Sequence, residues 1–202
     1  MRSLLGTTIV AITAMWPVAT MAQVQTFVAA LTGAQEVPPV VTAANGFGQI
    51  SIDPATGSFE LVIDVNGITR SQITFASGPF QFAPAGGGPL HIHRAAAGAN
   101  GPITVRFPEP GNYIDKADGS GLTITALGSA LTFGTGASLS SVLDDLNSGN
   151  AYFNLHSLQF PSGQIRGQLA RVSEPASLAL LGLGSLSLAA VARRRRKTKP
   201  TV

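Results

Sequence analysis

The stretch from Ser58 to Val65 alternates with period two: Phe59, Leu61, Ile63 and Val65 fall on one face, and Ser58, Glu60 and Asp64 on the other. Side chains two apart on an extended chain share a face, so this pattern demands a strand with one side buried and the other wet. The run before it, Phe47–Asp53, is joined to it by Pro54-Ala55-Thr56-Gly57, a connector of hairpin length and composition. Further strand-like runs lie at 26–32, 72–76, 89–93, 102–107, 121–127, 151–157 and 163–171. Strands this short, punctuated by 23 glycines and 13 prolines in 202 residues, predict an all-β fold, an antiparallel Greek-key β-sandwich. One helix interrupts it: Ser138 or Ser140 caps a segment in which Leu139, Val142, Leu143 and Leu146 recur at helical spacing, and Asn147-Ser148-Gly149 stops it. Glycine-rich stretches at 76–88 and 134–137 read as loops.

The two ends carry a different kind of information. Met1-Arg2, the apolar run Leu4–Ile12 and the small residues Thr20 and Ala22 describe a secretory signal peptide over residues 1–22, the alternative being an uncleaved N-terminal helix. At the other end Ser173-Glu174-Pro175 precedes an uncharged apolar stretch over 176–192 and a basic tail over 193–199 that opens with Arg193, Arg194, Arg195 and Arg196. A stretch of that length is near the minimum for a membrane helix, and basic residues after it stay on the cytoplasmic side, which places residues 23–172 outside. The segment 173–202 resembles the PEP-CTERM sorting signal of Gram-negative bacteria, with Ser173 in place of the first proline. The resemblance implies transient anchoring in the inner membrane, cutting near Glu174-Pro175 by an exosortase-type processing enzyme, and delivery to the cell surface or medium. An ordinary anchor that is never cut is the competing reading.

These ends also explain the charge. The formal +3 conceals a body, residues 23–171, with six basic residues against nine acidic ones, a net −3. A mildly acidic domain with scattered aromatics lacks the basic footprint of a nucleic-acid binder. With no cysteine there is no disulfide and no Cys–His nucleophile, and neither a G-x-S-x-G elbow nor a phosphate-binding loop is present. Asp144 and Asp145 are adjacent on the helix and diverge, and the turn Asp115–Gly121 lacks the spacing of a calcium loop.

All three histidines remain as candidates. His91 and His93 share one face of a strand, and His156 on another strand is positioned to complete a facial set of nitrogen ligands for zinc or copper, with Asn154 or Asp115 as candidate acceptors behind the rings. The alternative is a hydrogen-bonded polar cluster without metal. Arg166, in the run Gln164–Leu169, is a lone charge suited to clamp loop carbonyls or the carboxylate of Glu36.

Four linked motifs carry a second resemblance: Leu31–Val40, His91-Ile92-His93 with Gly98–Pro102, Gly149–Ser157, and Phe160–Leu169. In order and spacing they are similar to the CHRD domain first described in chordin. The resemblance implies an extracytoplasmic β-sandwich over residues 23–172, without a known activity in most bacterial members. Here Arg94, Ser157 and Gln164 depart from the family's usual glycine, threonine and glutamate. The expected function is therefore a non-enzymatic binding or structural module of the cell surface or matrix, with surface polysaccharide or envelope proteins as partners. A mononuclear three-histidine metal protein, or a metal-dependent enzyme using that site, is the alternative.

Overall fold

The computed structural model describes residues 23–73, 88–107 and 112–173. The signal peptide expected over 1–22, the membrane helix and basic tail expected over 176–199, and the strand expectation beyond residue 73 lie outside the described residues.

Among the described residues, eleven antiparallel strands and one short α-helix form the domain. In chain order they are β1 Gln25–Thr32, β2 Asn45–Ile52, β3 Phe59–Asn66, β4 Leu90–Arg94, β5 Ile103–Arg106, β6 Tyr113–Asp115, β7 Gly121–Gly128, β8 Thr132–Phe133, α1 Leu139–Asn147, β9 Ala151–Leu155, β10 Ile165–Gln168 and β11 Ala170–Arg171. The ladder runs β6-β7-β3-β2-β1-β10-β9-β4-β5-β8, with β11 paired to β1. Two wings meet at the β1–β10 seam, where Thr32 opposes Arg166. The chain crosses between wings after β3, β5 and β7, so strands adjacent in sequence are often far apart in the sheet.

The first wing follows directly from the alternation. Asp53 tightens the β2–β3 turn by accepting from the amide of Ala55 at 2.8 Å, and the eight facing pairs from Asn45↔Asn66 to Ile52↔Phe59 then fall into register. That register buries Leu61, Ile63 and Val65 with Ile50 and Ile52, and leaves Glu60 and Asp64 wet. The sheet curls until its wings face each other. Phe59 of β3 meets Phe107, just past β5, edge to face at 5.9 Å between ring centroids. Tyr113 on edge strand β6 donates its hydroxyl to the carbonyl of Phe107 at 2.9 Å, tying the two ends of the ladder together. Gly48 lets the Phe153 ring reach across from the other wing, because a Cβ there would stand 3.1 Å from that ring and 3.0 Å from Ile63.

Helix α1 starts on a capping box: Ser138 accepts from the Ser141 amide, and the Ser141 hydroxyl accepts from the Ser138 amide. Val142 and Leu146 turn into the core, and Leu139 lies against the β2–β3 turn.

Two expected strands differ. Residues 72–73 belong to a 3-10 turn, Arg70–Ile73, because the Gln72 side chain accepts from the Thr69 amide at 2.7 Å and the Gln72 amide returns to the Thr69 carbonyl, closing the backbone locally. The run 163–171 breaks at Leu169, which buries its side chain and donates its amide to Ala151, so that Ala170–Arg171 swing over to pair with β1.

Candidate functional site

β9 is the only one of these strands longer than three residues whose positions are all buried, which means that both of its faces are covered. Ala151, Phe153 and Leu155 enter the apolar core. The opposite phase carries Tyr152 and Asn154, followed by His156, and the flanking strands supply polar neighbours in register. His91 and Arg166 oppose Asn154 from either side, while His93 and Gln168 oppose Tyr152. A second, polar layer therefore lies on the outer face of β4–β9–β10.

Three imidazoles converge there. His91 Nδ1 and His156 Nε2 are 3.2 Å apart, and one ligand nitrogen from each of His91, His93 and His156 lies within 4.8 Å of the others. Backbone carbonyls accept only, so they decide the tautomers. His93 Nδ1 lies 2.9 Å from the Gly101 carbonyl and must carry a proton; its Nε2 is then a bare lone pair, shielded from solvent and without a donor. His156 Nδ1 donates to the Pro161 carbonyl at 2.9 Å, so its Nε2 accepts from His91 Nδ1. Burial keeps His93 and His156 neutral: it lowers His93 to about 4 against the bond to Gly101, and it lowers His156 too. The structure thus gathers all three sequence candidates and assigns the ring-orienting acceptors to Gly101 and Pro161. Neither Asn154 nor Asp115 holds an imidazole. Asn154 lies between His91 and Arg166 in register, and Asp115 caps the amide of Arg70 at 2.6 Å on β6.

Beside the histidines runs a stack. The His93 ring lies parallel to Tyr152 at 5.0 Å between centroids, and the Arg166 guanidinium sits 3.4 Å from the Tyr152 ring centre. Arg166, 1% exposed, donates to the carbonyls of Ala99 at 2.8 Å and Ala96 at 3.4 Å and to Asn100 Oδ1 at 3.3 Å. Gln168 holds Ala95, and Tyr152 Oη accepts from the Gly101 amide. The loop 95–101 is thus pinned end to end by the polar layer. Asn100 then reaches the carbonyl of Val37 at 2.8 Å and ties it to the loop 33–40.

Glu36 sits under that second loop. No ion pair joins it to Arg166 among the described residues. Its buried Oε1 has no hydrogen-bond partner, and burial raises its carboxyl to about 7 against the pull of the Arg166 charge. Between the two loops opens a cleft of about 390 Å³, walled by Ala34, Val37, Pro39 and Ala97 over Glu36 and Arg166. Sequence reasoning missed Tyr152 as the centre of the stack. The phase it shares with Asn154 and His156 was the available signal.

The fold and this face define an antiparallel β-sandwich module in which two loops are fastened over a polar outer layer. The chain belongs to the CHRD domain family: the family's model matches residues 27–169, and a PEP-CTERM protein-sorting motif follows over residues 171–197. Comparison with curated proteins and with solved structures finds no match. The two matches together make it an exported protein, sorted to the cell surface through a C-terminal motif that implies processing by an exosortase-type enzyme.

Proposed function

We propose that the exported protein works at the cell surface as a non-catalytic module that holds a ligand in the cleft between loops 33–40 and 95–101. The observation that supports this reading is the way the cleft is built. Its base contains Arg166, a buried charged side chain whose hydrogen bonds run to the loop 95–101, and its walls are small and apolar. Such a cavity is of the size that binds small groups, and the polar layer beneath it fixes its shape. The ligand is a component of the envelope, a surface polysaccharide or an envelope protein.

Ala97 is exposed on the rim, so Ala97→Trp fills the cleft without entering the core. Immobilised full chain is expected to retain envelope material from the producing cell, and Ala97→Trp to retain little. Sensitivity of that material to glycosidase or to protease tells polysaccharide from protein. Equal retention by both chains would remove the cleft as the site, and turnover of the retained material would overturn the non-catalytic reading. Recovery of the native protein from the cytoplasm would refute the surface role altogether.

A further inference from the structure

The three histidines lie behind the cleft and take no part in it, and their geometry leads beyond ligand holding. We propose that His91, His93 and His156 form a mononuclear site for a first-row transition metal ion, zinc or copper, enclosed in the outer polar layer of the sandwich.

Three features of the structure support it. The nitrogens are spaced for one ion: ligands about 2 Å from a tetrahedral metal stand about 3.3 Å from one another, and His91 Nδ1 and His156 Nε2 are already 3.2 Å apart. The third ligand nitrogen lies within 4.8 Å of the other two, a gap that small rotations of the rings close. Two of the three rings are also held in the metal-ready tautomer. His93 and His156 each donate Nδ1–H to a backbone carbonyl, of Gly101 and of Pro161, which turns the Nε2 lone pairs inward, the outer-shell arrangement that metal-ligating histidines use. Lastly, the Nε2 of His93 is shielded from water and has no donor facing it, a costly arrangement for a polar atom unless something accepts its lone pair.

The donor set selects the ion. Three imidazoles, with no thiolate in the chain, suit zinc and copper and do not suit calcium or magnesium, which need carboxylate and carbonyl oxygens. Binding asks one change of tautomer: the proton that His91 Nδ1 shares with His156 moves by exchange with water to Nε2 of the same ring, which stays neutral, so that His91 Nδ1 and His156 Nε2 both turn lone pairs to the ion. The scaffold suits this role because β4 and β9 are neighbours in the sheet and His156 follows directly on β9. With the rings mounted on strands, the site has the rigidity that metal geometry requires.

The chain has three histidines in all, so a tag-free preparation carries no other imidazole. The full chain, expressed without a histidine tag, is stripped with chelator, incubated with Zn²⁺ and desalted, and its metal content is measured. One zinc per chain is expected, with Co²⁺ giving the visible absorption of a nitrogen-ligated ion. His93→Gln keeps a donor for the Gly101 carbonyl while removing the ligand nitrogen, and His156→Gln removes a second ligand independently. Each is expected to weaken metal binding by more than about tenfold, on the scale of losses from disturbed metal shells. Circular dichroism establishes that the chains compared are folded. A folded wild type that keeps no zinc overturns the site, as does equal zinc in wild type and both variants. Because the cleft is tested by Ala97→Trp, failure of one reading leaves the other standing.

Discussion

At Gly163 the backbone runs at φ +126°, and a Cβ would stand 2.4 Å from Asn154 Oδ1 and 2.6 Å from Glu36 Oε1. Both the left-handed conformation and the contact exclude a side chain there, so the loop from Phe160 can close over the polar layer only with glycine. Gly163→Ala is expected to cost about 2 kcal/mol or more, read as a lowered denaturant midpoint with an unchanged slope. Glu36 itself gives the site a pH signature. Its carboxyl is raised from 4.5 to about 7, so the folded chain holds a proton that the unfolded chain has released. Stability from this group is complete below pH 4.5 and is lost as pH rises toward 7. His93, lowered from 6.5 to about 4, works the other way: its contribution is complete above pH 6.5 and is lost as pH falls toward 4. Between 4.5 and 6.5 the two oppose each other, which flattens the profile. In metal-free protein Glu36→Gln is therefore expected to steepen the rise of stability with pH across that window, by up to about 1.4 kcal/mol per pH unit. A profile parallel to wild type would show that Glu36 does not hold its proton into that range.

Among the elements, those with one wet face were legible before folding. Phe47–Asp53 and Ser58–Val65 announced β2 and β3 because each places polar residues on water and apolar ones on the core. Helix α1 was equally plain, since Ser138 caps it and Val142 and Leu146 share a face. Ser138→Ala, which removes one half of the capping box, is expected to cost about 1 kcal/mol, seen in thermal or chemical unfolding. The short strands β6 and β8 were not legible, because two or three residues carry no period and their pairing is imposed by distant partners, and although β11 fell within the expected run 163–171, its pairing with β1 was not. At the site, the histidines and Arg166 were visible as rare residues in patterned runs. The Gly101 and Pro161 carbonyls that orient the rings were not, since backbone acceptors leave no trace in residue type. That same wiring predicts coupling. His93 and Tyr152 hold Gly101, Arg166 holds Ala96 and Ala99, and Asn100 passes the connection to Val37. Fixing His93 with Zn²⁺ is expected to slow amide exchange in residues 95–101 and, through Asn100, in 33–40. Asn100→Ala should keep the first effect and lose the second. Metal bound with no change in either loop would disprove the coupling.

For the whole molecule, the charge of the chain belongs to its route rather than to its fold. The basic residues outside 23–171 are Arg2 and the six of the C-terminal tail, while nine of the ten acidic residues lie within the body. On the folded domain those acids are dispersed: Lys116 pairs with Asp64 at 2.7 Å, Arg94 approaches Asp145 at 3.9 Å, and Arg166 is buried beneath loop 95–101. The described surface therefore offers no basic stripe along which a polyanion would bind, and the positive charge that makes the whole chain basic sits in the C-terminal tail, with Arg2 in the segment expected to be a signal peptide. Removal of both segments converts a chain of +3 with an isoelectric point near 9.8 into a body of −3. Isoelectric focusing of material from the cell envelope and from the medium is thus a direct reading of processing. Full-length precursor is expected to focus at the basic end, and the processed domain at the acidic end with a mass reduced at both termini. Replacing Arg193–Arg196 with alanine removes four positive charges of the kind that orient a membrane segment, and is expected to reduce the acidic form at the surface. If surface protein from wild-type cells instead focuses at the basic end, the basic tail is retained and the chain stays anchored uncut.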